Sequence, residues 1–150
     1  MNNNRLEELR DLNDLTKKEL ASKLGVSGSA YSRWERNKYI IPTRRLYQLA
    51  NYYKVNIDYL LGLTGKRINI ESSKEIDIDL CSSRVAKIRK DYNESLRTFA
   101  DRLHTSNSTW SAYETGKTLI LGAFLIEVCK FGNYSADWIL GRSDKKKIVK

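Results

Sequence analysis

Leu6, Leu9 and Leu12 fall three residues apart among charged neighbours, and that spacing predicts a first helix. Thr16 follows with Glu19 three positions on. In this pairing hydroxyl and carboxylate reciprocally satisfy the open N–H groups at a helix start. Leu20, Ala21 and Leu24 give the second helix its inner face, and Gly25 ends it as a left-handed residue. Ser27 caps a third helix that runs to about Arg36. Val26 just before it and Tyr31 and Trp34 on it point inward, while Gly28, Ser29, Ser32, Arg33 and Arg36 share the opposite face. Pro42 interrupts the chain before a fourth helix carrying Leu46, Leu49, Ala50 and Tyr53. Asn56 caps a last short helix through Leu61, closed by Gly62. No segment here alternates with period two, so the class is all-α.

The pattern then recurs. Shifted by 79 residues, the chain aligns with itself without a gap from Arg5/Arg84 to Gly62/Gly141. Arg10/Arg89, Ala21/Ala100, Ser27/Ser106, Glu35/Glu114, Lys38/Lys117, Leu46/Leu125 and Asp58/Asp137 are identical. Aromatics also correspond in kind, Tyr31 with Trp110 and Trp34 with Tyr113. A register held over nearly 60 positions predicts two tandem five-helix domains. Their expected limits are residues 1–64 and 83–143, with a linker at 65–82 and a basic, mobile tail at 144–150. In the linker, Ile68, Ile70, Ile76, Ile78 and Leu80 alternate with polar residues around Ser72–Ser73. That pattern fits either an extended linker or a small hairpin.

Charge narrows the partners. The formal net charge of +9 favours an anionic ligand, of which nucleic acid is the commonest. Cys81 and Cys129 are 48 residues apart, and His104 is the only histidine, so neither a metal site nor a cofactor is expected. Two isolated thiols suit a reducing cytoplasm. Met1 is followed by Asn2, Asn3 and Asn4, which is no secretory leader. The longest apolar run, Leu119 to Ile126, is too short to cross a bilayer. His104 has no nucleophile or carboxylate at a suggestive spacing, so no enzyme is expected. It stands instead where the first repeat has Gly25, a position that a histidine occupies only with some strain.

Two helices joined by a short turn, with small Ala21 and then Gly25 four residues later, form a helix-turn-helix pattern. A major groove admits the second helix of such a pair, whose exposed N-terminal residues meet base edges. The stretch "LTKKELASKLGVSGSAYSRWERNK", followed by Pro42 and "VNIDYLLG", resembles the phage-repressor, Cro-like (xenobiotic-response-element type) helix-turn-helix family. The resemblance covers residues 5–64 and, less perfectly, 84–143. It implies a lambda-repressor-like fold and a bacterial or phage-encoded transcriptional regulator of double-stranded DNA. It also implies base reading by Gly28, Ser29 and Arg33 with Ser32 flanking, and phosphate contacts from Lys17 and Lys38. Arg36, Thr43 and Arg44 join the phosphate candidates. Arg10 with Glu35, and Arg89 with Glu114, match a structural ion pair between the first and third helices. Arg33 can pair with both guanine acceptors; its plain alternative is a solvated arginine.

The second repeat changes the reading residues. Its third helix has Ala112 for Arg33, Thr115 for Arg36 and Asn107 for Gly28. Asn107, Ser108, Ser111 and Lys117 remain DNA candidates. The apolar stretch "TLILGAFLIEVC" needs burial on more than one side. Leu119, Leu121 and Phe124 are therefore candidates for self-association, and a homodimer is expected. A repressor is the leading expectation. The alternative is a protein-interaction module, such as an antitoxin or antirepressor, acting through the second domain.

Overall fold

A computed structural model describes residues 4–72 and 75–150. Met1–Asn3, the start of the polar leader, and Ser73–Lys74, the tip of the hairpin alternative, lie outside the described residues. Among the described residues there are ten helices and no strand, so the fold is all-α. The chain divides into two compact units; the first unit takes in the residues before about 73 together with 148–150, and the second takes the residues between, to 147.

The first unit holds α1 (Leu6–Leu12), α2 (Lys17–Leu24), α3 (Gly28–Glu35), α4 (Thr43–Tyr53) and α5 (Ile57–Leu60). The Thr16–Glu19 capping box forms as the sequence predicts. Glu19 N–H donates to Thr16 Oγ1 at 3.0 Å, and Thr16 N–H donates to Glu19 Oε1 at 2.9 Å. Ser27 Oγ accepts from Ala30 N–H, starting α3. α2 packs on α3 and on α4, around Leu6, Leu9, Leu20, Tyr31, Leu46, Leu49 and Leu60. Leu12 lies on α1 as its spacing predicts, but not in the core. It is 63% exposed, because it is the last residue of α1 and the three-residue spacing has by then rotated off the inner face. Val26 is only half-buried.

The second unit holds α6 (Ile78–Asp91), α7 (Leu96–Arg102), α8 (Asn107–Thr115), α9 (Gly122–Gly132) and α10 (Ala136–Ile139). α8 packs against α6 and α7, and α10 against α6 and α9. Every residue described with positive φ has a partner 79 positions away. The pairs are Asp14/Asn93, Gly25/His104, Asn37/Gly116, Lys54/Asn133 and Gly62/Gly141. His104 does take the left-handed conformation, at φ 56°.

Core volumes are exchanged between corresponding positions. Tyr31 and Trp34 of the first unit correspond to Trp110 and Tyr113 of the second, all buried. Where the first unit has Tyr53 and Val55, the second has Gly132 and Tyr134. A Cβ on Gly132 would lie 2.4 Å from the Tyr134 ring and 2.9 Å from the Tyr92 hydroxyl. The glycine is what admits the larger ring, whose hydroxyl donates to Asp91 at 2.9 Å.

The segments after the last helix of each unit are packed, which revises three sequence expectations. Asn56 does not cap α5 with its side chain. Its amide instead donates to Lys66 O at 3.1 Å and accepts from Ile68 N–H at 2.8 Å. Residues 66–70 are thereby held to the first unit, and Val55 bridges Asn69. α6 begins at Ile78, inside the stretch read as linker. Residues 145–147 are not a mobile arm. Tyr134 bridges Lys147, Lys146 Nζ lies 2.5 Å from Asp91 Oδ2, and Lys147 Nζ donates to Gly132 O at 2.8 Å. Lys146 and Lys147 find a carboxylate, a carbonyl and the Tyr134 ring to bind, so these two charges are spent on the fold.

Gly132→Ala should lower the stability of the second unit by about 1–3 kcal/mol, the cost of overpacking a filled core. Thermal unfolding followed by circular dichroism reads it, and an unchanged midpoint would refute the exchange.

Candidate nucleic-acid interface

The turn between α2 and α3 is built from three local devices. Gly25 at φ 75° turns the chain, with its N–H bonded to Ser22 O. Val26 N–H returns to Ala21 O at 3.0 Å. Arg45, from α4, donates to Leu24 O at 2.7 Å and to Gln48 Oε1 at 2.9 Å. This closes a carbonyl that the end of α2 leaves open.

The face of α3 turned inward is anchored by Tyr31, Trp34 and Glu35, all buried. Arg10 on α1 grips Glu35 with two parallel bonds, Nε to Oε2 at 3.0 Å and Nη2 to Oε1 at 2.9 Å. Its third arm, Nη1, donates to Leu15 O at 2.9 Å. The Glu35 side chain is only 2% exposed. Burial pushes its carboxyl pKa up, but the bonds from Arg10, the nearby Tyr31 hydroxyl and the charges of Arg10 and Lys17 outweigh that and hold it below its ordinary value. The Tyr31 hydroxyl itself makes no hydrogen bond of normal geometry. Arg89 and Glu114 repeat the grip at 2.7 and 3.0 Å, with Arg89 Nη1 on Glu94 O at 2.8 Å.

The outward face carries what the sequence put there. Gly28, Ser29, Arg33 and Arg36 are exposed and Ser32 is half-buried. A Cβ on Gly28 would meet nothing within 4 Å, so the core does not require glycine at this position. Ser29 Oγ lies 3.3 Å from the capping Ser27 Oγ. Lys38 and Arg44 are exposed nearby in the sequence, and Lys17 is half-buried. Thr43 is a correction: at 5% exposure it belongs to the core side of α4 and offers little surface to a phosphate.

In the second unit Asn107, Ser108 and Lys117 are exposed and Ser111 is half-buried. A shallow groove of about 590 Å³ runs beside α8, bordered by Ser108, Ala112, Leu119 and Leu121. Leu121 is 59% exposed, Leu119 is half-buried, and Phe124 leans on the Tyr113 ring at 6.0 Å.

Four anchoring residues escape sequence reasoning. Asn4 donates to Trp34 O at 2.8 Å, closing the end of α3. Arg5 donates to Tyr59 O and Thr64 O, and Arg84 donates likewise to Trp138 O and Ser143 O. The matched arginines at the start of the repeat were the one available signal. Arg45 has none, since Ala or a different cation would preserve the helix pattern equally well.

Among the described residues no group of three or more His, Cys, Asp and Glu is placed to hold a metal, and no helix is long and apolar enough to cross a membrane. Both cysteines are buried, and burial pushes the Cys81 thiol up to about 12.

A capped helix, a glycine turn and an anchored helix with a polar outer face define a helix-turn-helix domain, and residues 6–60 match the family described as Helix-turn-helix. Over 60 residues, 40% of this chain, the protein is 42% identical to "Uncharacterized HTH-type transcriptional regulator YobD" of Bacillus subtilis (strain 168). Over 97 residues, 65% of the chain, it is 34% identical to "HTH-type transcriptional regulator ImmR" of the same organism. These matches span 54% and 66% of the two relatives, less than two thirds of either. No solved structure matches the chain.

The Arg10–Glu35 grip carries a pH signature. Because the Glu35 carboxyl sits below its ordinary value near 4.5, its stabilisation is complete above that pH and is lost as pH falls through the folded-state value. Arg10→Met strands a buried carboxylate and should cost about 3–5 kcal/mol near neutral pH. The gap between native and variant should narrow on acidification, as denaturant unfolding at pH 7 and below 4 will read. A gap independent of pH would show that the pair is not what Arg10 contributes.

Proposed function

We propose that the protein is a sequence-specific double-stranded DNA-binding transcriptional regulator, a repressor, that reads the major groove with α3. The observation that carries this reading is the division of α3 by face. Its inner side is clamped through Glu35, Tyr31 and Trp34, and its outer side presents Gly28, Ser29, Ser32 and Arg33 to solvent. Arg33 is the principal base reader, since a guanidinium donates two bonds to guanine. Lys17, Arg36, Lys38 and Arg44 hold the backbone phosphates. The relatives' names point to the same role.

The second unit is, on this reading, a divergent second copy of the domain. Support comes from the five left-handed positions and the arginine–glutamate grip, which recur at one spacing. Domain limits near residues 70 and 78 fit the packing better than 64 and 83. With Ala112 and Thr115 in place of arginines, α8 is the weaker reader. The groove beside it and the exposed Leu121 favour self-association, giving a homodimer. An antitoxin-like or antirepressor-like partner surface is the competing use of the same groove.

Selection from a random duplex pool should return a defined site. Arg33→Ala should then cost about 1–3 kcal/mol at one base pair. Lys38→Ala should weaken all sequences alike and lower the salt slope by about 1. Equal affinity for random duplexes would end the sequence-specific reading. Sedimentation should give a dimer that Leu121→Ser converts to monomer; a native monomer would favour the competing use.

A further inference from the structure

Base reading by α3 leaves Tyr39 without a role. The residue is 61% exposed in the turn that follows the helix, so the core makes little use of it. The Arg33 guanidinium lies over its ring, 5.2 Å from the centroid. The backbone joins the same two residues. Arg33 O accepts from Lys38 N–H at 2.8 Å and from Tyr39 N–H at 3.3 Å, so the residue bearing the guanidinium also shapes the turn bearing the ring.

The second unit supplies an internal control. Its corresponding residues are Ala112 and Thr118, with neither cation nor ring. Thr118 N–H still donates to Ala112 O, at 3.2 Å. The turn therefore closes without the side-chain pair, and the stacking of Arg33 on Tyr39 is not something the fold needs. Both partners are present in the unit with the arginine-bearing outer face, and both are absent from the other.

Resting on the reading role proposed for Arg33, we infer that Tyr39 is a positioning residue for base recognition. Stacking engages the face of the guanidinium and leaves its in-plane N–H donors open. Those donors are the ones that address the two acceptors of guanine. An arginine already stacked has fewer rotamers to lose on meeting a base, so the ring adds discrimination through preorganisation.

The test compares full-length native, Tyr39→Thr, Tyr39→Leu, Tyr39→Phe, Arg33→Ala and Arg33→Ala/Tyr39→Thr proteins. Each is titrated against the selected duplex and against the same duplex with the Arg33-sensitive base pair replaced. Tyr39→Thr and Tyr39→Leu should lose discrimination between the two duplexes by roughly two- to fivefold, the strength of an exposed cation–π contact. Tyr39→Phe should keep it, melting midpoints should hold, and Tyr39→Thr should add nothing once Arg33 is gone. Native discrimination in both Tyr39→Thr and Tyr39→Leu overturns the inference. So does a loss that Tyr39→Phe shares, or one that persists without Arg33. A native chain that prefers no duplex overturns the DNA reading itself and this inference with it, so the two failures are told apart.

Discussion

One guanidinium fixes the geometry on which the first unit depends. Arg10 reaches from α1 to Glu35 on α3 and to the Leu15 carbonyl in the connection to α2. Two helices 25 residues apart and the connection between α1 and α2 are thereby set by one planar, rigid fork of N–H donors. Glu35 could not be buried beside Tyr31 and Trp34 without that partner, because an unpaired carboxylate there would carry the full cost of desolvation. A helix held in this way cannot rotate to exchange its inner and outer faces. What α3 presents to solvent is therefore decided by a contact on its far side.

The same constraint explains what varies between the units and what does not. Arg89, Glu114 and the Glu94 carbonyl reproduce the grip, although Arg33 and Arg36 have given way to Ala112 and Thr115. The core tolerates exchange too, provided total volume is kept. Tyrosine and tryptophan trade places between 31/34 and 110/113, and a tyrosine moves from position 53 to the counterpart of Val55. Backbone turning points are held more strictly than side chains: His104 adopts the conformation of Gly25 in spite of its Cβ.

Features set by near neighbours were legible in the sequence. The Thr16–Glu19 box, the Gly25 turn and the Ser27 cap are each decided within four residues, so their letters suffice. Arg10 and Glu35 are 25 residues apart and became legible only through resemblance to a family. Misreadings arose where a residue had a long-range partner that its type does not announce. Asn56 looks like a helix cap, yet its amide is taken by residues 66–68. The lysines of the tail look solvated, yet Asp91 and Gly132 O receive two of them. Thr43 looks like a surface hydroxyl because its neighbours Arg44 and Arg45 are charged, while helix periodicity turns it inward.

Charge counting treated the units as near equals, with 11 basic against 7 acidic residues over 5–64 and 9 against 6 over 84–143. The structure separates cations bound within the fold from those left on the surface. In the second unit Arg84, Arg89, Arg102 and Arg142 each meet a carboxylate. In the first, Arg5 and Arg10 meet carboxylates and Arg45 is held by the Leu24 carbonyl, but Arg33, Arg36, Lys38 and Arg44 form no ion pair among the described residues and lie exposed. A phosphate backbone responds to cations that can shed counterions onto it, not to those already neutralised. Net charges of +4 and +3 thus conceal a difference in placement: of the positions matching Arg33, Arg36, Lys38 and Arg44 in the second unit, only Lys117 is a cation, and its other exposed cations, such as Lys87, Lys90, Arg97 and Lys130, lie away from α8 in the sequence.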